Sequence, residues 1–335
     1  MATRLNMLPE DCISTVLSLT SPPDASRFML VASSLRSAAE SDIVWDRFLP
    51  SDLPRSLSRS HTQLNVSSKK DLFFQLCGCI PMDGGIRSFS LDKVSGRKYW
   101  ILSARTLSIS SSNEPNHWTW TANSTSRFVR ILYYLFSMIT LVLPLLYSNG
   151  SSFYFHILCR FSEVIELKTI TNMEIEGRIQ TEDLSTNTTY CAYLIVKVSD
   201  HSFGLDSIPC ETTISSGTCS VTNIAYLCPL DEQKQQIESL FFMNRSRMME
   251  KRVVEGECRR PSKRGGGWME IELGEKSEGL KMSLMEVKGQ QLKGGLIIEG
   301  IEVRPTCEQV LDQPLQDTIH IRIYCAYLIV NFIVT

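Results

Sequence analysis

The hydrophobic period of the chain changes near Ile86, and this change limits the folds that the sequence can adopt. Before it, apolar residues recur at helical spacing, as Ile13, Val16 and Leu17 do. After it, short stretches of alternating apolar and polar residues follow one another, separated by polar turn residues. Helices followed by many short strands predict an α+β protein in which a helical module precedes an antiparallel β-sandwich.

The predicted helical module starts with Leu8 and Pro9, because proline suits the first position of a helix, where its missing N–H costs nothing. Ser21-Pro22-Pro23 ends this first helix, and Asp24 is expected to cap a second one. The second helix is predicted to carry Phe28, Val31 and Leu35 on one face, and a third short helix Ile43, Val44 and Trp45.

The order of these residues resembles the F-box, a module that docks a Skp-type adaptor of a cullin ubiquitin ligase. The resemblance covers residues 1–50 and implies contact with the adaptor and, through it, with the cullin ligase core. An ordinary helical hairpin is the alternative interpretation of the same pattern. The residues that the resemblance assigns to adaptor binding are Leu8, Pro9, Ile13, Leu17, Pro23, Leu35, Val44 and Trp45.

Length, charge and cysteine usage limit the functional classes. The 335 residues suffice for two domains with buried cores, and a net charge of -2 provides no basic field for nucleic acid. The 11 cysteines form no Cys-x-x-Cys pair and the 5 histidines are dispersed, so we predict no metal site, no cofactor and no catalytic residues. The first residues lack the apolar core of a secretory signal, which favours a cytoplasmic or nuclear protein with free thiols.

Residues 51–85 are predicted to be a linker that ends in a short helix, and strands follow over 86–305. The strand blocks include 98–109, 118–120, 160–167, 190–197, 267–275 and 293–305. Their order resembles the phloem-lectin domain of plants, also called the Nictaba-like domain. The resemblance implies a jelly-roll-like β-sandwich and an oligosaccharide ligand, typically one that contains N-acetylglucosamine. An F-box followed by this domain is a known plant subgroup, so the two resemblances support each other.

Sugars bind lectins by stacking on aromatic rings and by hydrogen bonds to planar polar groups. Many proteins of the lectin family carry a tryptophan at the position of Ser111, and its loss here removes one stacking surface. Trp118 and Trp120 alternate along one strand face, so packing in the core is their alternative role. The residues predicted to bind carbohydrate are Tyr99, Trp100, Glu114, Trp118 and Trp120.

Two stretches do not fit the lectin resemblance. The uncharged apolar run 131–147 is near the lower length limit of a transmembrane helix, ~17 residues, so a membrane anchor is its direct interpretation. A spanning helix there would separate neighbouring strands of one sandwich. We therefore favour the interpretation that residues 129–160 come from a retained intron or a gene-model error rather than from a membrane anchor. The tail 306–335 is atypical, because its residues 324–330 repeat 190–196 residue for residue.

Our leading hypothesis is a non-catalytic substrate receptor of a ubiquitin ligase, whose β-sandwich binds a glycoprotein, a carbohydrate or another protein. Neither nucleic acid nor a membrane is expected as its partner. The alternatives are a cytoplasmic or nuclear lectin with a vestigial F-box, and a protein anchored in the membrane through 131–147.

Overall fold

The computed structural model describes residues 8–60, 62, 64, 66–123, 161–205, 209–217, 219–228, 259–277, 279–286 and 291–306. Helices occupy the first part of these residues and strands the rest, which confirms the predicted α+β fold. Within the described ranges, no helix has the length and the apolar character needed to cross a membrane. The predicted insert 129–160, with its apolar run 131–147, and the tail beyond Thr306 lie outside the described residues.

The N-terminal module consists of short helices, and the predicted second helix is in fact two. Its cap is Ser21 rather than Asp24, because the Ser21 hydroxyl accepts a hydrogen bond from the Asp24 backbone N–H. Ala32 then adopts an extended backbone, with φ -156° and ψ 155°, and separates Phe28 from the next helix. The helices are α1 (Glu10–Ser18), α2 (Pro22–Phe28), α3 (Ser33–Glu40), α4 (Asp42–Phe48), α5 (Leu53–Leu57) and α6 (Lys69–Leu76).

The second part of the chain forms two antiparallel sheets. The strands are β1 (Ile80–Met82), β2 (Arg87–Leu91), β3 (Lys98–Ser103), β4 (Ser108–Ile109), β5 (Trp118–Ala122), β6 (Glu163–Leu167), β7 (Glu174–Ile179), β8 (Tyr190–Phe203), β9 (Cys210–Ser216), β10 (Cys219–Ala225), β11 (Ser262–Lys263), β12 (Trp268–Lys276), β13 (Leu280–Glu286) and β14 (Gly294–Pro305). The larger sheet has the order β1-β2-β3-β14-β8-β12-β11, with β6 also paired to β14 and β5 paired to β6. The smaller sheet has the order β10-β9-β13-β7-β4.

The central strands of the larger sheet show why the sequence alternates. Ile301 lies opposite Leu194 and Val303 lies opposite Ala192 in the pairing of β14 with β8, and all four side chains are buried. The intervening Glu302 therefore points to the other face of the sheet. The apolar faces of the two sheets belong to one cluster of buried side chains, which is the core of the sandwich.

The helical module and the sandwich share this core. Leu17 of α1, Phe73 of α6 and Trp100 of β3 all belong to the same continuous cluster of buried apolar side chains. The segment 51–85, which was predicted to be a linker with one short helix, contains α5, α6 and β1. It therefore packs as a structured part of the molecule between the two predicted domains.

Candidate adaptor surface and ligand-binding loop

Most side chains predicted to bind the adaptor lie inside the helical module. Trp45 is 0% exposed, and its indole N–H donates to the backbone oxygen of Ala39 at 2.7 Å. The hydroxyl of the neighbouring Ser14 donates to the backbone oxygen of Ala38 at 2.9 Å and joins α1 to α3. These buried residues hold the helices together. The predicted adaptor contacts that are buried in this way are Ile13, Leu17, Leu35, Val44 and Trp45.

Helix α6 completes the module by covering Trp45. The ring centroid of Trp45 lies 5.3 Å from that of Phe73 and 5.2 Å from that of Phe74. The backbone N–H of Lys69 donates to the carboxylate of Asp42 at 2.8 Å, so the start of α6 is fixed to the start of α4. Helix α6, which lies in the segment predicted to be a linker with a short helix, therefore packs on the helices of the predicted F-box.

A second group of apolar side chains on the module is exposed to solvent. Leu8 is 38% exposed and Leu19 is 72% exposed, while Pro23 is half-buried. Exposed apolar side chains concentrated on so small a module are typical of a partner-binding surface. We call this group the exposed apolar set: it consists of Leu8, Pro9, Val16, Leu19, Leu30, Val31 and Ile43.

The loop between β4 and β5, residues 110–117, is anchored at both ends. The indole N–H of Trp118 donates to the backbone oxygen of Ser110 at 2.9 Å and closes the loop on itself. On the other side, the ammonium of Lys168 donates to the backbone oxygen of Pro115 at 2.9 Å. The loop therefore presents its remaining polar groups from a fixed backbone.

The polar groups of this loop centre on His117. Its Nδ1 lies 2.7 Å from the backbone oxygen of Thr169, and its Nε2 lies 2.9 Å from the carboxylate of Glu114. Glu114 and Asn116 are exposed, and Ser111 has a positive φ of 56° at the turn. A carboxylate and an amide at the surface suit hydrogen bonds to hydroxyl groups, but the loop itself carries no exposed aromatic ring.

The aromatic residues predicted to stack on sugar are mostly buried. Tyr99, Trp100 and Trp118 are all buried, and the indole N–H of Trp100 donates to the backbone oxygen of Asp183 at 2.7 Å. The ring centroid of Trp100 lies 5.0 Å from that of Phe89. A buried ring has no face available to a sugar in this conformation, so these positions support the fold. Their carbohydrate-binding role stays a prediction.

Trp120 is the predicted stacking residue that keeps some exposure. It pairs with the buried Ile165 across β5 and β6, so one side of its ring faces the core. The guanidinium carbon of Arg105 lies 3.6 Å from the ring centroid on the other side, which is a close cation–π contact. Glu163 accepts from this guanidinium at 3.0 Å and holds it in place. A sugar can reach the ring of Trp120 only if Arg105 moves aside.

A ring of ion pairs lies on the face of the larger sheet that points away from the smaller sheet. Arg264 contacts Glu302 at 2.6 Å and Glu270 at 3.5 Å. Arg304 contacts Glu302 at 3.1 Å and Glu270 at 2.8 Å, and its guanidinium carbon lies 3.7 Å from the ring centroid of Tyr193. Burial, the largest single effect, acts to lower the pKa of both arginines, but the carboxylates of Glu302 and Glu270 and the nearby tyrosines together raise it, so both remain charged.

The same ring perturbs a neighbouring phenol. Burial raises the pKa of Tyr99 well above its usual value, and the adjacent carboxylate of Glu302 raises it further. The residues described by the structure contain no cluster of His, Cys, Asp and Glu suited to a metal ion. The ring of ion pairs is electrically balanced, and its side chains satisfy one another.

Comparison with protein families bears on both parts of the chain. The F-box domain family matches residues 5–47, and the Phloem protein 2 family matches residues 148–305. F-box protein VBF of Arabidopsis thaliana is 42% identical over 311 residues, which cover 89% of this chain and 99% of that protein. The chain belongs to the F-box proteins that carry a phloem protein 2 domain. Both resemblances seen in the sequence are thereby confirmed.

Other F-box proteins with similar names are also related to this chain over most of its length. F-box protein PP2-B15 and F-box protein PP2-B13 of Arabidopsis thaliana are 41% and 40% identical, and each alignment covers 89% of this chain and at least 96% of the relative. Among solved structures, TmCBM61 in complex with β-1,4-galactotriose aligns with 61% of this chain and 91% of its own, at 6% identity and a TM-score of 0.28. That likeness is too low to carry a conclusion about this F-box protein.

Two features of this F-box protein could not be predicted from the sequence. The exposed apolar set shares only Leu8 and Pro9 with the predicted adaptor contacts, because helical spacing shows which residues share a face but not which face the protein buries. The ring of ion pairs joins Arg264, just after β11, and Glu270 of β12 to residues of β14 that lie 38 and 34 positions away in the sequence. Its only local signal is the pair Glu302 and Arg304, two positions apart on one strand face.

Proposed function

We propose that this protein is the substrate-recognition subunit of an SCF-type ubiquitin ligase in the cytoplasm or nucleus. Its F-box docks a Skp-type adaptor and, through it, the cullin core, while its β-sandwich binds a glycoprotein, a carbohydrate or a protein target. The observation that carries the proposal is the exposed apolar set on a helical module whose own core is already complete. Membership of the F-box family supports the same partner.

In this proposal the protein supplies proximity, and partner enzymes supply the ubiquitin-transfer chemistry. A cysteine that carries ubiquitin as a thioester must react as a thiolate. Burial raises the pKa of Cys191 to about 12 and that of Cys210 to about 12, so both remain thiols at neutral pH. Burial also raises the pKa of Cys77. These three thiols are therefore poorly suited to carry ubiquitin.

Adaptor docking should depend on the exposed part of the motif. We expect the double substitution Leu8→Ala and Pro9→Ala to weaken capture by an immobilised Skp-type adaptor about 30-fold, the effect of losing a contact worth ~2 kcal/mol. Because both side chains are exposed, the melting temperature should change little. The measurement is a pull-down of the full chain over a range of adaptor concentrations.

A matched control for this pull-down is Leu292→Ala, which removes a side chain that is also exposed but lies on the sandwich. It should leave capture unchanged. If the double substitution at Leu8 and Pro9 also leaves capture unchanged, the adaptor assignment is wrong. The alternative of a lectin with a vestigial F-box then becomes the better account.

Sugar binding by the loop 110–117 is expected to be weak. On a matrix of N-acetylglucosamine oligomers, the full chain should be retained poorly, because Ser111 replaces a stacking tryptophan and Arg105 covers the accessible side of Trp120. Elution volume relative to a sugar-free matrix gives the measurement. Poor retention favours a protein target for the sandwich.

Strong retention would contradict this expectation, and two substitutions would then locate the site. Loss of retention with Trp120→Ala would make that ring the stacking residue. Loss with Glu114→Ala, an exposed position of the loop that contacts His117, would assign the sugar to the loop carboxylate instead. Circular dichroism of each variant checks that the sandwich remains folded.

A further inference from the structure

The helical module and the sandwich meet backbone to backbone at one point. Gly96, in the turn between β2 and β3, lies against Phe48 at the end of α4. A Cβ atom at position 96 would lie 2.6 Å from the carbonyl oxygen of Phe48, and the φ of 70° is one that side chains rarely adopt. Glycine is therefore required for this close approach between the two parts.

A buried lysine makes a second connection. The side chain of Lys98 in β3 is 1% exposed, and its ammonium contacts the carboxylate of Asp52, which follows α4 in the chain. The same ammonium donates to the backbone oxygens of Glu182 at 3.3 Å and Leu184 at 3.4 Å. One charged group thus joins the segment after the F-box helices to the loop between β7 and β8.

An arginine makes the third connection. The guanidinium of Arg59, in the segment after α5, contacts the carboxylate of Asp183 at 2.6 Å. Its central carbon lies 5.3 Å from the ring centroid of Trp100. The backbone oxygen of Asp183 accepts the indole N–H of Trp100, so the arginine, the loop and the core tryptophan form one network.

These contacts differ from ordinary surface pairs. The nearby pair of Arg55 and Glu182 is largely exposed, and such pairs contribute little to the relative position of two domains. Lys98 instead has its charge satisfied entirely by groups that span the junction, and Gly96 permits a fit that no side chain allows. A shift of one part relative to the other would therefore take the buried ammonium of Lys98 away from its partners.

We propose that the F-box module and the β-sandwich form a single rigid unit, locked at the junction by Gly96, the Lys98–Asp52 pair and the Arg59–Asp183 pair. The rigidity follows from the junction itself. Its consequence, that a target bound to the sandwich is held at one distance and orientation from the adaptor, rests on the proposed function.

The test substitutes a residue of the sandwich and measures amide hydrogen exchange in the F-box module. Lys98→Met removes the ammonium and keeps the length of the side chain, and hydrogen exchange of the full chain is followed by mass spectrometry. We expect amide exchange in α4 to be about tenfold faster than in the wild type, because the helix loses part of what opposes its local opening. The matched control is Arg178→Met, since Arg178 is 68% exposed on the smaller sheet and should leave α4 unchanged.

The reciprocal variant is Asp52→Asn, which keeps the test decisive if Lys98→Met does not fold. Coupling between two parts acts in both directions, so exchange in the loop 181–184 should also become about tenfold faster. If each variant accelerates exchange only on its own side of the junction, the proposal is overturned. Asp52→Asn should still be captured by the adaptor, because the exposed apolar set is unchanged. If the variants accelerate exchange on both sides of the junction but the adaptor does not capture the wild type, the proposed function is overturned and the rigid unit stands.

Discussion

The substitution Trp45→Ala is expected to lower the free energy of unfolding by about 4 kcal/mol and to abolish adaptor capture. Trp45 is fully buried beneath Phe73 and Phe74, and its indole N–H satisfies the backbone oxygen of Ala39. Alanine leaves a large cavity and an unpaired carbonyl in the buried core of the module. Denaturant unfolding of the full chain and the adaptor pull-down measure the two effects.

Leu8→Ala provides the contrast for this result. Leu8 is exposed, so its loss should change the free energy of unfolding by less than about 0.5 kcal/mol while still reducing capture. The two variants distinguish a buried residue that holds the helices in place from an exposed residue that is expected to contact the adaptor. A Trp45→Ala protein of normal stability that fails to bind the adaptor would show that Trp45 contacts the adaptor directly.

Glu286→Gln is expected to cost the sandwich about 3 kcal/mol of unfolding free energy, because it leaves a buried lysine without its counter-charge. The side chains of Glu286 and Lys293 are 2% and 1% exposed, and the ammonium of Lys293 also donates to the backbone oxygen of Thr171 at 2.6 Å. The amide of glutamine can still accept a hydrogen bond but cannot neutralise the ammonium. Denaturant unfolding measures the loss.

A double substitution distinguishes charge burial from simple loss of packing. Adding Lys293→Met to Glu286→Gln removes the unpaired charge and should restore most of the lost stability. Asp46→Asn is the surface control, because its pair with Lys69 is about half exposed and is worth ~0.5 kcal/mol. Equal losses for the single and double variants would mean that the pair contributes through packing alone.

Local patterns predicted the elements of this fold well. The predicted strand block 98–109 begins and ends where β3 begins and β4 ends, and the final strand block ends at Pro305 as β14 does. Alternation over such short stretches depends only on neighbouring residues, which the sequence contains. The split between α2 and α3 was missed because the residues around it give no strong turn signal, and β10 was missed because most of its residues are exposed and show no apolar alternation.

The candidate site was predicted less completely, because burial depends on distant partners. The motif placed Trp45 correctly on a helix, but its cover comes from Phe73 and Phe74 on α6. Periodicity likewise put Trp118 and Trp120 on one strand face, and the pairing with Leu167 and Ile165 shows that this face is the core side. Sequence identifies which residues share a face, whereas tertiary packing decides which face a ligand can reach.

The pairing of β5 with β6 determines where the sequence can accept insertions. Ala122 lies opposite Glu163, and the backbone N–H of Asn123 donates to the oxygen of Ser162 at 2.8 Å, so the chain leaves and re-enters the sheet at adjacent points. Paired strands stand only about 5 Å apart, a gap that a two-residue turn closes. Residues can therefore be inserted or deleted between these strands without altering the register of the sheet. This connection is a site that tolerates insertions and a suitable place to graft a reporter domain.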